Sequence, residues 1–500
     1  MVVALAHARH PPHALLHLSE TVFLTTASSS DLLPLHHLAR LENFGHSLRS
    51  SAYLYQPNSV DDLDQLFELS RQQELTVGLR GAGRSYGDAS LNSGHIVLDM
   101  RPLNNILAWD AQSGIITVEP GVTIEQLWMH TLGDGWWPPV VPGTMRPTLG
   151  GCLAANIHGK NNWVAGTIGE HVIEFDALLP NGETLTCSPE KNEEFFHAMI
   201  GGMGLLGVFT SITLQMKQIH SGQLRVMAWV KASLTGMLES VDGNKTADYV
   251  VGWVDCTSGS GRMGRGQIHR AEYLKPGEDP DPTNSLRIDQ QILPDRMFGL
   301  LPKSILHKLM QPLTNNIGTL FINSAKYWAS RTVGQNTTFL QTMGAFNFLL
   351  DYVPNWERAY GPMGLIQYQS FLPKASAEAA YSEMLNLCHN RHLPAYLGVL
   401  KRHRPDPFLL SHALDGFSLA LDFRITQSNR APLLKLIADL DEIALAAGGR
   451  FYFAKDSTLN AEKAQRFLGE DLTRQFRALK SKADPNNRLQ TDLYRRCFQE

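Results

Sequence analysis

The chain has 500 residues, 43% hydrophobic and 18% charged, with 44 basic and 48 acidic side chains and a net charge of −4. That length exceeds a single hydrophobic core and points to two or three domains. The hydrophobic and charged fractions exclude a disordered or fibrous chain, and the mixed charge offers no basic stripe for nucleic acid. Five scattered cysteines without CxxC spacing (Cys152, Cys187, Cys256, Cys388, Cys497) argue against a disulfide framework or a structural zinc site.

Residues 1–45 read as an N-terminal extension. His, Arg and Pro interrupt "MVVALAHARHPPHALLHLSE" before the apolar core of a secretory signal forms. His7, His10, His13 and His17 have no acidic or cysteine partner nearby, so a flexible tail is expected rather than a metal site. No run approaches the roughly 18 apolar residues of a membrane span. A cytoplasmic setting is expected, with peripheral membrane contact left open.

Regular patterning starts near residue 46. "NSVDDLDQLFELSRQQ" predicts a helix capped by Ser59, with Leu63, Leu66, Phe67 and Ser70 on one face. "LTVGLR", "HIVLDM" and "GIITVEPG" predict strands, and "TIEQLWMHTL" a helix with Thr123 and Gln126 spaced as a capping box. "VFTSITLQM" predicts a strand ending near 217. From 218 to 430 the strands include "RVMAWV", "IQYQSF" and "SLALDFRI"; from 431 to 500 the chain opens on the helix "PLLKLIADLDEIALAAGG", stopped by Gly448 and Gly449. Strands and helices mix without a βαβ beat, so the class is α+β.

Three glycine-rich loops carry the chemistry: "RGAGRSYGDAS", "VPGTMRPTLGGCLAANIHGKNN" and "GGMGLLGVF". Neither "GAGRSYG" nor "GMGLLG" sits between a strand and a following helix, so neither is a Rossmann fingerprint. Successive backbone N–H groups in such loops can still form an anion nest without a helix. Together they suggest one large anionic ligand, although each alone could be a tight turn.

The order of these loops, with "VEPGVTIEQLW" between the first two, resembles the FAD-binding domain of the PCMH and vanillyl-alcohol-oxidase superfamily. "NWERAYGPMGLIQYQSFLP", "GVLKRH", "GFSLALDF", "RFYFAKDS" and "ADPNNRLQTDLYRR" extend the likeness to its decaprenylphosphoryl-ribose oxidase branch, over about residues 50–497. The resemblance implies a two-subdomain FAD-binding domain (46–217), a cap domain with an antiparallel sheet (218–430) and a C-terminal segment returning to the flavin (431–500). It implies that FAD is held by Leu79, Arg80, Gly81, Ala82, Gly83, Arg84, Ser85, Tyr86, Gly87, Asp88 and Ala89. Further along it would touch Gly143, Thr144, Thr148, Leu149, Gly150, Gly151, His158, Gly159, Lys160 and Asn161, then Gly207, Val208, Phe209 and Tyr452. Many members link the flavin covalently to a histidine where this chain has Arg84, so FAD is expected to be non-covalent, with Arg84 on phosphate or Asp88.

By the same resemblance Lys455, Tyr86, His158 and Tyr452 are catalytic, and Lys160, Gln367, Gln369 and Lys401 bind substrate. Lys455 either stabilises reduced flavin or assists proton removal. The implied reaction oxidises the C2 hydroxyl of a polyprenyl-phosphoryl ribose for cell-wall arabinose donors, with an NAD(P)H-dependent short-chain reductase as partner. An alditol or aldonolactone oxidase and a non-catalytic flavin-binding partner remain as alternatives. Ala420 replaces a cysteine of the mycobacterial members, and Asn347 and Phe348 replace more polar aromatic positions. "MFGLLPKSILHKLMQPL" (297–313) reads either as a cap helix packed on its own domain or as an apolar face for lipid.

Overall fold

A computed structural model describes residues 33–259, 261–297 and 301–499; His7, His10, His13 and His17 lie outside them. The class is α+β, built on three principal sheets. The first runs in the order Leu38–Glu42, Arg49–Tyr55, Ile96–Asp99, Val77–Arg80, with its last three strands parallel. The strand Leu38–Glu42 lies within the stretch expected to be an extension. Its backbone partners Arg49–Tyr55 through five registered pairs, so the sheet begins there. Ser59 caps the helix Val60–Gln72 through the Asp62 N–H, and Leu63, Phe67 and Ser70 are buried. Leu63 and Phe67 join the sheet's apolar side chains in one core.

The second sheet is antiparallel, in the order Ile106–Asp110, Ile115–Val118, Val208–Gln215, Val172–Leu178, Thr184–Cys187. Beside it the helix Ile124–Thr131 carries the expected capping box between Thr123 and Gln126. "GMGLLG" follows the helix Glu193–Met199 and precedes the strand Val208–Gln215, the reverse of a dinucleotide fingerprint.

The third sheet has eight strands: Thr337–Thr342, Gln223–Lys231, Gly266–Tyr273, Tyr249–Val254, Leu397–His403, Gly416–Arg424, Leu365–Pro373 and Arg450–Phe451. The helix Arg430–Ala446 ends before Gly448, which takes φ +74° where a side chain would be strained. The C-terminal segment then crosses back to the first sheet. Val77 N–H donates to the Arg488 carbonyl at 2.7 Å, and Gln490 N–H donates to the Val77 carbonyl at 3.0 Å.

Candidate active site

All three glycine loops open onto one cavity of about 590 Å³, closed on its far side by the inner face of the eight-stranded sheet. Alternation along the strands creates that face. Leu397, Val399 and Lys401 come from one strand, Gln367 and Gln369 from another, and Val251 and Trp253 from a third.

The loop after Val77–Arg80 contributes Leu79, Arg80, Gly81, Ala82, Gly83, Arg84, Ser85, Tyr86 and Ala89 to the lining. A Cβ on Gly81 would strike the Thr148 hydroxyl, and one on Gly150 would come within 2.7 Å of Pro120 Cβ. Gly83 has φ +63° and faces the Arg80 guanidinium, so a side chain there would be strained and blocked. The second loop adds Gly143, Thr144, Thr148, Gly150, Gly151, His158 and Lys160, and the third adds Gly207, Val208 and Phe209.

Gly87, Asp88, Leu149, Gly159 and Asn161 stand behind this lining. A Cβ on Gly87 would meet the Asp456 carbonyl, and one on Gly159 the Asn161 side chain. Leu149 is buried in the core at the start of the short helix Leu149–Ala154. Asn161 Nδ2 donates to the Pro139 carbonyl at 2.7 Å. The expected Arg84–Asp88 contact is replaced by another. Asp88 accepts two bonds from Arg496, at 2.6 and 2.9 Å, while Arg84 lies over the Phe44 ring at 5.0 Å. The C-terminal helix supplies a nearer guanidinium, and an aromatic ring takes up the one on the loop.

Lys455 follows Tyr452–Ala454 at the cavity wall. Its Nζ stands 5.5 Å from the centre of the Tyr86 ring and forms no hydrogen bond or ion pair among the described residues. Burial lowers its pKa to about 8, and the Asp422 carboxylate pulls the other way. Asp422 is buried, which raises its pKa to about 6, while Gln367 Nε2 donates to Oδ1 at 2.5 Å. Tyr86 is fixed by its own N–H, which donates to the Ala454 carbonyl at 2.9 Å, and by Phe44 edge-on at 5.0 Å.

His158 is buried with His412 and His403. Its Nδ1 lies 3.0 Å from His412 Nε2, and its Nε2 lies 3.3 Å from Gln369 Nε2. Burial, with Lys401 nearby, lowers the pKa of His158 well below the usual imidazole range, so the ring is neutral. Tyr452 packs against both rings, at 5.2 Å from His158 and 4.3 Å from His412. Lys160 Nζ reaches the Phe346 carbonyl and, at 3.3 Å, the Asn347 carbonyl. Burial lowers its pKa to about 7.

Ala420 lines the cavity, whereas Asn347 and Phe348 do not. Asn347 donates to the Met343 carbonyl and Phe348 packs on Trp137 at 5.9 Å, so those two departures act on packing. Sequence reasoning missed Asn43, Phe44, Trp253, His269, Lys326 and Asp422. Asn43 Nδ2 donates to the Tyr86 carbonyl, and Trp253, His269 and Lys326 line the cavity. A detectable signal was the alternation placing Asp422 two residues from Ala420 and facing Gln367.

The helix Lys303–Met310 packs on the turn Trp356–Tyr360, as a cap helix would, and also presents an apolar outer side. In the helix Lys303–Met310 only Leu306 is buried, and Ile305, Leu309 and Met310 are exposed. More than half of the large apolar side chains exposed among the described residues fall between Leu301 and Leu349.

The cavity fits an extended dinucleotide. Glycines let the loops pack closely on Thr148, Pro120 and Arg80 so that their backbone lines the cavity, Arg80 and Arg84 supply positive charge, and the buried Gln367 and Gln369 Oε1 atoms lack partners among the described residues. A profile of the FAD binding domain matches residues 51–188. The chain is 31% identical over 392 residues to decaprenylphosphoryl-beta-D-ribose oxidase of Mycolicibacterium smegmatis, covering 77% of this chain and 81% of that one. A putative D-arabinono-1,4-lactone oxidase of Neurospora crassa is 28% identical over 177 residues, 35% of this chain and 31% of its own. L-gulonolactone oxidase of Bos taurus is 30% identical over 167 residues, 33% and 38% of the two chains.

Proposed function

Because this chain belongs to the FAD-dependent oxidoreductases, in the family of decaprenylphosphoryl-beta-D-ribose oxidase, we propose that it oxidises a secondary sugar hydroxyl on a lipid phosphate. The favoured substrate is a polyprenyl-phosphoryl ribose oxidised at its C2 hydroxyl, with a separate nicotinamide-dependent reductase completing an epimerisation. The observation that carries this reading is Lys455, unpaired and facing Tyr86 in the cavity that holds Gln367 and Gln369.

Arg80, Arg84 and the backbone of the glycine loops hold FAD, which supplies the hydride acceptor when bound. Arg84 at the position of the linking histidine makes that binding non-covalent. Gln367, Gln369 and Lys401 orient the sugar from the cap sheet. Lys455, as the neutral amine, takes the hydroxyl proton while the carbinol hydrogen leaves as hydride, and Asp422 then balances the ammonium. Neutral His158, held by His412 and Gln369, hydrogen-bonds without adding charge.

The exposed apolar face favours a lipid-linked substrate over a free sugar. No aspartate or glutamate lies between Asp295 and Asp351, while Arg296, Lys303, Lys308, Lys326 and Arg331 do. No helix among the described residues is long and apolar enough to cross a membrane. Apolar side chains with basic neighbours suit an anionic bilayer surface.

The test is anaerobic. The FAD-loaded protein is mixed with a short-chain polyprenyl-phosphoryl ribose and the flavin absorbance is followed. Bleaching supports the reading, and acid release of FAD supports non-covalent binding. Bleaching only with free alditols or lactones would move the protein to that substrate class.

A further inference from the structure

The cavity lining contains no aspartate or glutamate, yet it contains Arg80, Arg84, Lys160, Lys326, Lys401 and Lys455. The arginines belong to the cofactor loop, and Lys455 faces Asp422 behind the wall. Positive charge therefore remains at the cap end without a carboxylate.

Lys326 is the outlying cation. It comes from the helix Asn316–Thr332, which packs on the strands Gln223–Lys231 and Gly266–Tyr273. Thr319, Asn323 and Tyr327 form its buried flank, and Lys326 lies beside them, three residues after Asn323. The Nζ stands 4.2 Å from the centre of the Trp253 ring. Among the described residues it has no hydrogen bond and no ion pair. His269, on the strand that pairs with Val251, lines the same wall. The protein environment lowers the pKa of Lys326 to about 8 through desolvation, with no carboxylate to offset it. The side chain is exposed along its length, so Lys326 stands at the open rim of the cavity rather than in its interior.

The geometry points to a phosphate subsite at the cap end of the cavity, in which Lys326 over Trp253, with His269 and Lys160 beside it, holds the phosphodiester of the substrate. The subsite rests on the proposed sugar-phosphate reading and adds the residues that select an anionic substrate over a neutral one. Lys326 supplies the ammonium, which the face of the Trp253 ring holds at the cavity rim. Lys160, tied to the Phe346 and Asn347 carbonyls, closes the side toward the sugar. The same helix turns Ile317, Phe321 and Trp328 outward, so the phosphate is bound directly beneath the apolar face.

Binding without turnover tests this. The FAD-loaded protein is titrated calorimetrically with farnesyl phosphate, farnesol and inorganic phosphate. Farnesyl phosphate is expected to bind at least tenfold tighter than farnesol. Lys326→Met, which keeps an unbranched side chain of similar length without the charge, should remove most of that difference and leave farnesol unchanged, and Lys326→Arg should keep it within a few-fold. Competition by inorganic phosphate with the same Lys326 dependence would assign the site to free anion as well; no competition would assign it to lipid-linked phosphate. Equal affinity for farnesyl phosphate and farnesol, or full phosphate affinity in Lys326→Met, overturns the subsite. The probes carry no sugar, so failure of sugar oxidation leaves this result standing. Oxidation without Lys326 dependence of phosphate binding would remove the subsite alone.

Discussion

Asp88 and Arg496, 408 residues apart, meet at 2.6 Å and join the first glycine loop to the last helix of the chain. Arg496 also binds Asp456 at 2.7 Å, so one guanidinium ties the cofactor loop to the Lys455 turn. Arg496→Ala strands two largely buried carboxylates. It should cost about 3 kcal/mol of stability, read as a lower denaturation midpoint, and should weaken FAD retention. Arg496→Lys should recover only part of each, because one ammonium cannot fork between two carboxylates.

Lys455→Ala should lower the rate of flavin reduction by about 10²–10⁴-fold while FAD content stays that of the parent. In the parent, reduction should accelerate as pH rises and level off above about 8, where the amine is neutral. The variant should lose that inflection. A parent profile that falls through the same window would instead assign Lys455 the role of a retained cation.

All four cavity lysines have lowered pKa values: Lys160 at about 7, Lys326 and Lys455 at about 8, and Lys401 well below the ordinary lysine range. Between those values and the ordinary lysine value the unfolded chain binds more protons than the folded one, so stability rises with pH. The apoprotein should therefore gain stability from pH 7 to 10, seen as a rising thermal midpoint. Asp422 has the opposite sign, its raised value costing stability as pH climbs from the ordinary carboxylate range to about 6. A bound phosphate ligand should flatten the alkaline rise.

The protein should co-sediment with vesicles containing phosphatidylserine, less with neutral vesicles, and release as salt increases. Phe321→Glu and Leu309→Glu together should reduce binding about tenfold or more, because they place two carboxylates in the exposed apolar face. Reduction by a water-soluble short-chain substrate should be unaffected. Sedimentation independent of lipid charge and of both substitutions would remove the membrane contact.

The parts of this architecture legible in the sequence were local. The Ser59 cap, the Thr123–Gln126 box and the stop before Gly448 are decided within a few residues. The glycine loops and Lys455 were legible through the family resemblance. The pairing of Asp88 was not, because no local pattern connects it to residue 496. Nor was the strand Leu38–Glu42, whose neighbours give no alternation of their own. Lys326 was not legible at all, since its place over Trp253 depends on how the helix Asn316–Thr332 docks.

The returning C-terminus has a temporal consequence. Lys480 donates to the Leu205 carbonyl of the third glycine loop at 2.8 Å and to the Leu489 carbonyl at 2.6 Å, and Arg496 closes the first loop. During synthesis the glycine loops emerge hundreds of residues before the segment that braces them. The flavin cradle therefore gains its brace only after residue 496 has left the ribosome, long after the loops themselves have formed.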